Sequence, residues 1–345
     1  MKAKKLTALV LAGALCLSAF TGCGINANDT AATLGDTKVT LGVTNFICKY
    51  QQAALDDFYR MYFGNDVWNT DLFGSGSTLG QDVKDSVMES LHEMYTLKAH
   101  MADYGVTITE DEEKAIKEAA AAFIASNSDA VIKEFGATED VVVEVLTLYT
   151  IQAKMYKVLT ADTDRNVSDE EANMRGYSMV TISLEGTYDE DGNAVELTEE
   201  ELATIKNNAI SMQSAISNVG LEEAAKEYDY EVTTGAYGKD DESLEETVLK
   251  AMDALKEGEV SPMIETETAI YFVRIDKDTD EDATEENRNA IIQEREDALY
   301  KEALTKLQEN DGWTVDEDVV AKIKFHNILT QQTESTESVN TTEGE

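Results

Sequence analysis

The sequence predicts an α+β protein in which a helical body is interrupted by one compact unit of mixed structure. Three observations predict it. Apolar residues between about 43 and 161 recur mostly at steps of three and four, as in Val83, Val87, Leu91, Met94, Tyr95 and Met101, the period of a helix face turned toward a core. The pattern then changes: Tyr177 to Leu184 (YSMVTISL) and Ala269 to Ile275 (AIYFVRI) are β-branched, apolar runs of strand length. From Asn287 to about Asn310 the helical period returns, with Ile292, Leu299, Tyr300, Leu304 and Leu307 on one stripe.

At the N-terminus, Lys2, Lys4 and Lys5 precede an uncharged apolar run from Leu6 to Phe20. That run has the length of the apolar core of a secretion signal and falls short of the roughly 20 residues that span a bilayer. Small residues then lead into a cysteine: Ala19-Phe20-Thr21-Gly22-Cys23. The stretch resembles the lipobox of bacterial lipoproteins, with Gly22 at the small position before the cut and Phe20 where that family usually has Leu. The resemblance implies a signal peptide over 1–22, cleavage before Cys23, and a diacylglycerol group on the Cys23 thiol. One acyl chain anchors only marginally and two anchor stably. The protein is therefore expected at the cell membrane, lipid-anchored on the extracytoplasmic face. Residues 23–33 are mostly small and polar and read as a tether.

Beyond the leader about 320 residues remain, enough for two domains, and an apolar content of 42% supports a core. The net charge of −41 repels phosphate backbones and excludes nucleic acid as a partner. It repels anionic lipid heads as well, which leaves the anchoring to the lipid. Cys48 is the only cysteine past Cys23, so no structural disulfide forms within the chain, and an exported protein without one relies on its core or a partner. Cys48 lies among Val43, Phe46, Ile47 and Tyr50 and reads as a buried thiol. The three histidines, His92, His100 and His326, complete no metal-ligand set. The sequence asks for no metal and no cofactor.

A short strand near Val39 precedes the helical body. Phe63 to Gly80, rich in Gly, Asn, Asp and Ser, is a loop between its first helices. Thr109 with Glu112, Ser168 with Glu171 and Thr198 with Glu201 have capping-box spacing and mark three helix starts. Val141, Val142, Val145, Leu146, Tyr149 and Tyr156 stripe a further helix. In the mixed unit, Asp189 to Asn193 is a turn, because the spacing of an EF-hand calcium loop is absent. Leu202 to Val219 is a long helix. Leu221, Ala224, Ala225 and Tyr228 make a short one. Leu244, Val248, Met252 and Leu255 make a third, with Gly258 as its C-cap. Asp276 to Glu286 is an acidic loop feeding the next helix, whose N-terminus favours negative charge. Trp313 to Phe325 ends the ordered chain, and Thr333 to Glu345, lacking an apolar run, is disordered. The expected boundaries are a helical region over 34–176, the mixed unit over 177–278, a C-terminal helical region over 284–328 and a tail over 333–345.

Two segments carry a resemblance. Gly258-Glu259-Val260-Ser261-Pro262-Met263-Ile264-Glu265-Thr266 looks like the parvulin segment G-E-[VI]-S-x-x-[VI]-x-T that leads into the last strand. Leu221 to Tyr228 (LEEAAKEY) looks like the same family's F-x-E-L-A-K-E-Y-S helix. The order helical, mixed, helical resembles extracytoplasmic foldases of the PrsA and SurA type. The resemblance implies an N-terminal helical region and a C-terminal helix that build a chaperone domain, with a parvulin-like (PpiC-type) peptidyl-prolyl isomerase domain inserted. The implied partners are unfolded or newly exported proteins. Related foldases often pair through the helical region, which allows a homodimer.

Rotation about an X–Pro bond takes tens to hundreds of seconds unaided, and an isomerase must favour the twisted amide over the planar one. Parvulins do this in an apolar proline pocket beside two histidines and a Cys or Asp. The family's closing strand reads T-x-x-G-Y-H. This chain reads Thr266-Glu267-Thr268-Ala269-Ile270-Tyr271, which puts Tyr271 in the place of the histidine. On the first strand the other histidine's place falls to Val180 or Thr181, depending on register. The glycine-rich loop is reduced to Gly235-Ala236-Tyr237-Gly238, and the pocket's Met and Phe map to Leu244 and Val248. No catalytic residue is assigned, and Leu244, Val248 and Tyr271 are the expected substrate-binding residues. The implied function is a membrane-anchored folding factor whose isomerase site is degenerate. The alternatives are an active isomerase with a variant site, Tyr271 donating a hydrogen bond, and a solute-binding lipoprotein, which would need two similar α/β lobes.

Overall fold

The computed structural model describes residues 15–17, 25–188, 194–239 and 241–331. The expected leader apart from Leu15–Leu17, the expected lipidation position Cys23, the turn expected at 189–193 and the tail expected at 333–345 lie outside the described residues. The chain is α+β and divides into two compact units, 1–162 with 298–345, and 163–297.

The first unit begins with β1 (Leu15–Leu17), β2 (Thr30–Leu34), β3 (Thr37–Thr40), α1 (Leu41–Phe63), α2 (Leu79–His100), α3 (Glu110–Ser126), α4 (Asp129–Phe135) and α5 (Glu139–Leu159). Its helices start where hydroxyls can cap them. Thr40, Thr78, Thr109, Ser128 and Thr138 each accept a hydrogen bond from the N–H three residues on, which satisfies an otherwise orphaned donor. At Thr109 the Glu112 carboxylate reaches back to complete the box. The tether expected over 23–33 is shorter than its composition suggests. Thr30–Leu34 is a strand of the sheet, with Ala31 and Ala32 buried, because the small side chains fit against the core as well as they suit a linker. The core gathers Leu41, Phe46, Trp68, Leu91, Phe123, Phe135, Val142 and Leu148. The Phe46, Phe123 and Phe135 rings meet at centroid separations of 5.1, 5.4 and 6.0 Å, a spacing at which edge contacts add to burial. The packing is tight enough that a Cβ on Gly80 would lie 2.8 Å from the Trp68 carbonyl oxygen and from the Phe325 ring. Cys48 is fully buried, and burial pushes its thiol up to about 12.

The second unit contains α6 (Asp169–Ala172), β4 (Arg175–Ser183), β5 (Thr187–Tyr188), β6 (Ala194–Val195), α7 (Glu199–Val219), α8 (Leu221–Glu227), β7 (Val232–Tyr237), α9 (Glu246–Asp253), β8 (Ile264–Glu265) and β9 (Ala269–Lys277), and the first part of α10 (Glu281–Gln308). Four strands form an antiparallel sheet in the order β7-β4-β9-β8. Alternation along β4 and β9 gives each face its own core. Val180, Ile182, Ile270 and Phe272 pack with Ala209, Met212, Leu221 and Ala224 of α7 and α8. Met179, Val273 and Ile275 pack with Val248 and Met252 of α9. The unit is wider than the 177–278 expected because its flanks are stitched together. Arg288 donates to the Val167 carbonyl and pairs with Asp169, Arg295 pairs with Glu171 at 2.5 Å, and the Asn287 amide donates to the Ala172 carbonyl at 3.0 Å. Two local expectations are corrected. Helix α10 starts at Glu281, inside the stretch expected to be a loop, with Asp280 accepting from the Ala283 N–H. Gly258 does not cap α9, which ends at Asp253; it turns the chain at φ +83° and donates its N–H to the Ile275 carbonyl at 2.7 Å.

The rest of α10 and the chain after it complete the first unit with β10 (Trp313–Val315), α11 (Glu317–Val320) and β11 (Leu329–Gln331). Strand β10 joins β2 in a sheet of order β10-β2-β3, and β11 pairs with β1. Tyr300, Leu304 and Leu307 pack on Leu97, Ile151 and Met155, and the Tyr300 hydroxyl donates to Glu93. The C-terminal segment is also fastened by a stripe of buried polar residues on α1. Lys49 donates to the Lys324 carbonyl and pairs with Glu134 at 2.6 Å. The Gln52 amide donates to the Asn327 carbonyl at 2.7 Å, and Asp56 accepts the Leu329 N–H at 2.9 Å. Burial lowers the Lys49 ammonium from its ordinary value, against the pull of Glu134.

Candidate functional site

The α9 face of the second unit is where the expected substrate-binding residues fall. Leu244, Val248 and Tyr271 belong to one apolar cluster. Tyr271 stands on β9, opposite Thr181 of β4 and Ile264 of β8. Val248, on α9, is fully buried, so its side chain fills the interior and presents nothing to a ligand. Leu244 lies outside the helix and, like Tyr271, is half-buried. On the first strand, the two candidate positions face opposite sides of the sheet. Val180 packs against α7 and α8, on the far face, while Met179 packs with α9 and Thr181 sits directly across from Tyr271.

The Tyr271 hydroxyl is already engaged. It donates to Glu245 Oε1 at 3.3 Å, and the Thr268 hydroxyl donates to the same oxygen at 3.1 Å. Burial and then the charge of Glu245 raise the phenol above its ordinary value, so it is a neutral donor near pH 7. A second tyrosine on this side, Tyr237, accepts from Arg175 at 2.9 Å and donates to Asp253 at 3.2 Å. Arg175 also reaches the Met252 and Leu255 carbonyls and Asp278, tying the start of β4 to the end of α9. The polar groups here hold helix to sheet. All three histidines of the chain lie outside 163–297, so this unit contains no imidazole to relay a proton. At Gly235 the chain passes close to Tyr177: a Cβ there would lie 2.7 Å from the Tyr177 hydroxyl. Among the described residues, no group of three His, Cys, Asp or Glu is placed to hold a metal ion.

A second feature lies in the first unit, at the C-terminal end of α1 and the loop after it. Phe58, Met61, Tyr62, Phe63 and Phe73 are 55, 71, 64, 54 and 71% exposed. Phe58 and Tyr62 touch at 4.9 Å, and Tyr59 bridges from Phe63 to the buried Trp68 at 6.1 and 5.9 Å. The loop is shaped by Asp71, which accepts the Ser75 and Gly76 N–H groups at 3.1 and 2.8 Å. Exposed aromatic and methionine side chains grouped in this way mark a contact surface. It lies apart from the residues expected to bind substrate. The signal was present in Phe58-Tyr59-Arg60-Met61-Tyr62-Phe63, a run apolar around too much of the helix for one core to cover.

No protein-family model matches this chain, and no curated protein does. Solved structures similar to it include a foldase protein PrsA from Lactococcus lactis, at 16% identity over 86% of this chain and 97% of that one, TM-score 0.33. A SurA-like chaperone structure from Campylobacter jejuni is similar at 12% identity over 84% and 100% of the two chains, TM-score 0.29. A PrsA peptidylprolyl isomerase from Bacillus anthracis is similar at 14% identity over 66% and 99%, TM-score 0.28.

Proposed function

We propose that this chain is a membrane-anchored, extracytoplasmic protein-folding factor that holds unfolded or newly exported proteins, its parvulin-like unit having kept a fold without isomerase chemistry. The observation that carries this reading is the exposed aromatic surface formed by Phe58, Met61, Tyr62, Phe63 and Phe73. It can take up apolar side chains of a partner without demanding a particular sequence. The acidic exterior, with its net charge of −41, keeps a protein with such a surface soluble and turns nucleic acid away. Lipid on Cys23 supplies the membrane attachment in this reading. Among the described residues, no helix is long and apolar enough to cross a membrane. A homodimer is compatible with the reading. The commitment of Tyr271 to Glu245, the burial of Val248 and the absence of histidine from 163–297 support a folding role that does not depend on catalysis.

The chain beginning at Gly24 is suitable for the test, since among the described residues Leu15 alone of the core-cluster members precedes Ile25. At several-fold excess it should suppress aggregation of a client protein diluted from denaturant. Replacing Phe58, Tyr62 and Phe73 together by Ser should remove most of that suppression. Lone surface changes of this kind move stability by about 0.5 kcal/mol or less, so the variant's unfolding midpoint separates lost binding from lost structure. No suppression by the parent chain, or full suppression by a folded triple variant, overturns the proposal.

A further inference from the structure

Leu15–Leu17 lies inside the segment the sequence reads as a leader, yet it is built into the first unit. It runs antiparallel to β11, with Leu15 opposite Gln331, Cys16 opposite Thr330 and Leu17 opposite Leu329. The Leu15 side chain is buried in the core at 7% exposure. Its N–H donates to Asn127 Oδ1 at 2.9 Å, in a hydrogen bond shielded from water. Asn127 is itself 9% exposed and held from behind, its Nδ2 donating to the Phe123 carbonyl at 2.8 Å. The unit therefore offers an extended chain three things at one place: the backbone edge of β11, a buried acceptor for an amide pointing away from that edge, and an apolar hole for the side chain between.

We infer that β11, Asn127 and the neighbouring α4 form a binding site for an extended apolar peptide, which the protein's own leader occupies and which a chain without the leader presents empty. The inference rests on the folding-factor reading and gives it a second contact, distinct in chemistry from the aromatic surface. Pairing with a strand edge uses main-chain groups that every peptide carries, so it tolerates many sequences. The hole filled by Leu15 adds a preference for a large aliphatic residue. Asn127 needs an amide at that position and so rejects proline. While the leader is attached it is part of the same chain as the site, and such a tether gives an effective concentration in the millimolar range. A free peptide of similar intrinsic affinity then loses the competition. The unprocessed chain is closed at this site by its own leader.

The test uses a labelled peptide of residues 6–20 with Cys16→Ser, titrated by fluorescence anisotropy against two proteins: the chain beginning at Gly24 and the full chain carrying Cys23→Ser. The shorter chain should bind it saturably, and the full chain at least about tenfold more weakly. Removing the acceptor with Asn127→Ala should weaken binding to the shorter chain about tenfold. A peptide carrying Leu15→Pro, which leaves the protein untouched, should lose as much or more. Absence of binding to the shorter chain, equal binding to both chains, or indifference to the Leu15→Pro peptide overturns the inference. If aggregation is suppressed while the peptide goes unbound, this inference falls and the folding role stands. If the peptide binds as described while aggregation is not suppressed, the site stands and the folding role falls.

Discussion

Asp56 should be among the most sensitive positions of the chain, and Asp56→Asn isolates why. The residue is fully buried. One carboxylate oxygen accepts from the Trp68 indole N–H and from Arg60 Nε at 2.8 Å, and the other accepts the Leu329 N–H at 2.9 Å. Asparagine has nearly the same volume but one acceptor oxygen and an NH₂ group. With its oxygen toward Trp68 and Arg60, the NH₂ faces the Leu329 N–H, and a buried donor is orphaned at about 1–3 kcal/mol. Turned the other way, two donors are orphaned. In either arrangement Arg60 also loses its charged partner, which adds about 1 kcal/mol at a site this dry. The sum is about 3 kcal/mol, and with a urea slope of about 2 kcal/mol/M the unfolding midpoint should fall by roughly 1.5 M. Both tryptophans of the chain, Trp68 and Trp313, belong to the first unit, so their fluorescence reports on that unit alone. Asp57→Asn, one residue away and exposed, serves as a control for the lost charge and should move the midpoint little. A fall of less than about 0.3 M in Asp56→Asn would refute the claim that this carboxylate fastens the C-terminal segment to α1.

Burial raises the Asp311 carboxyl, but hydrogen bonds from His92 at 2.6 Å and from the Trp313 N–H outweigh it and hold the group below its ordinary value. A carboxyl depressed on folding stabilises fully above its unfolded pKa of about 3.9, and that stability is lost as pH falls through the folded value; urea midpoints by tryptophan fluorescence should therefore favour the parent over Asp311→Asn at pH 6 and converge with it near pH 2. Tyr271→Phe removes a half-exposed hydroxyl that donates to Glu245 at 3.3 Å, so it should cost about 1 kcal/mol or less and leave proline-limited refolding of a test protein unchanged. Acceleration of that refolding by small amounts of the parent, lost in Tyr271→Phe, would point instead to an active isomerase.

Much of the second unit could be read from its sequence because its physics is periodic. Val180 and Ile182 alternate with Met179 and Thr181 on β4, Ile270 and Phe272 with Tyr271 and Val273 on β9, and a period of two leaves a single way to bury both apolar sets. The caps at Thr109 and Thr198 were legible for the same local reason, since a hydroxyl and a carboxylate three residues apart can satisfy each other's backbone donors. The boundaries were less legible. That α10 would start at Glu281, six residues ahead of the expected Asn287, or that Arg288 and Arg295 would bind 167–171 into the unit, depends on partners more than a hundred residues away. The polar stripe of α1 is hidden in the sequence for a deeper reason. Lys49, Gln52 and Asp56 are spaced as one helix face, and a polar face is ordinarily solvated; here the peptide groups of 324–329, which need donors and acceptors of their own, make it an interior one.

The same contrast separates what holds the sheet of the second unit from what a proton relay would require. The sheet of the second unit is specified redundantly: Val180, Ile182, Ile270 and Phe272 against one pair of helices, Met179, Val273 and Ile275 against α9. Any one of these can change to another apolar residue at a cost of about 1.5 kcal/mol or less, and the remainder still dictate the register. A proton-relay site has no such redundancy, because each of its groups must be a particular acid or base at hydrogen-bond distance from the next. The Tyr271 hydroxyl donates to Glu245 at 3.3 Å and so acts as a strut between β9 and the start of α9. In the first unit, the exposed aromatics of α1 and the edge of β11 are the surfaces where partner contact should be sought.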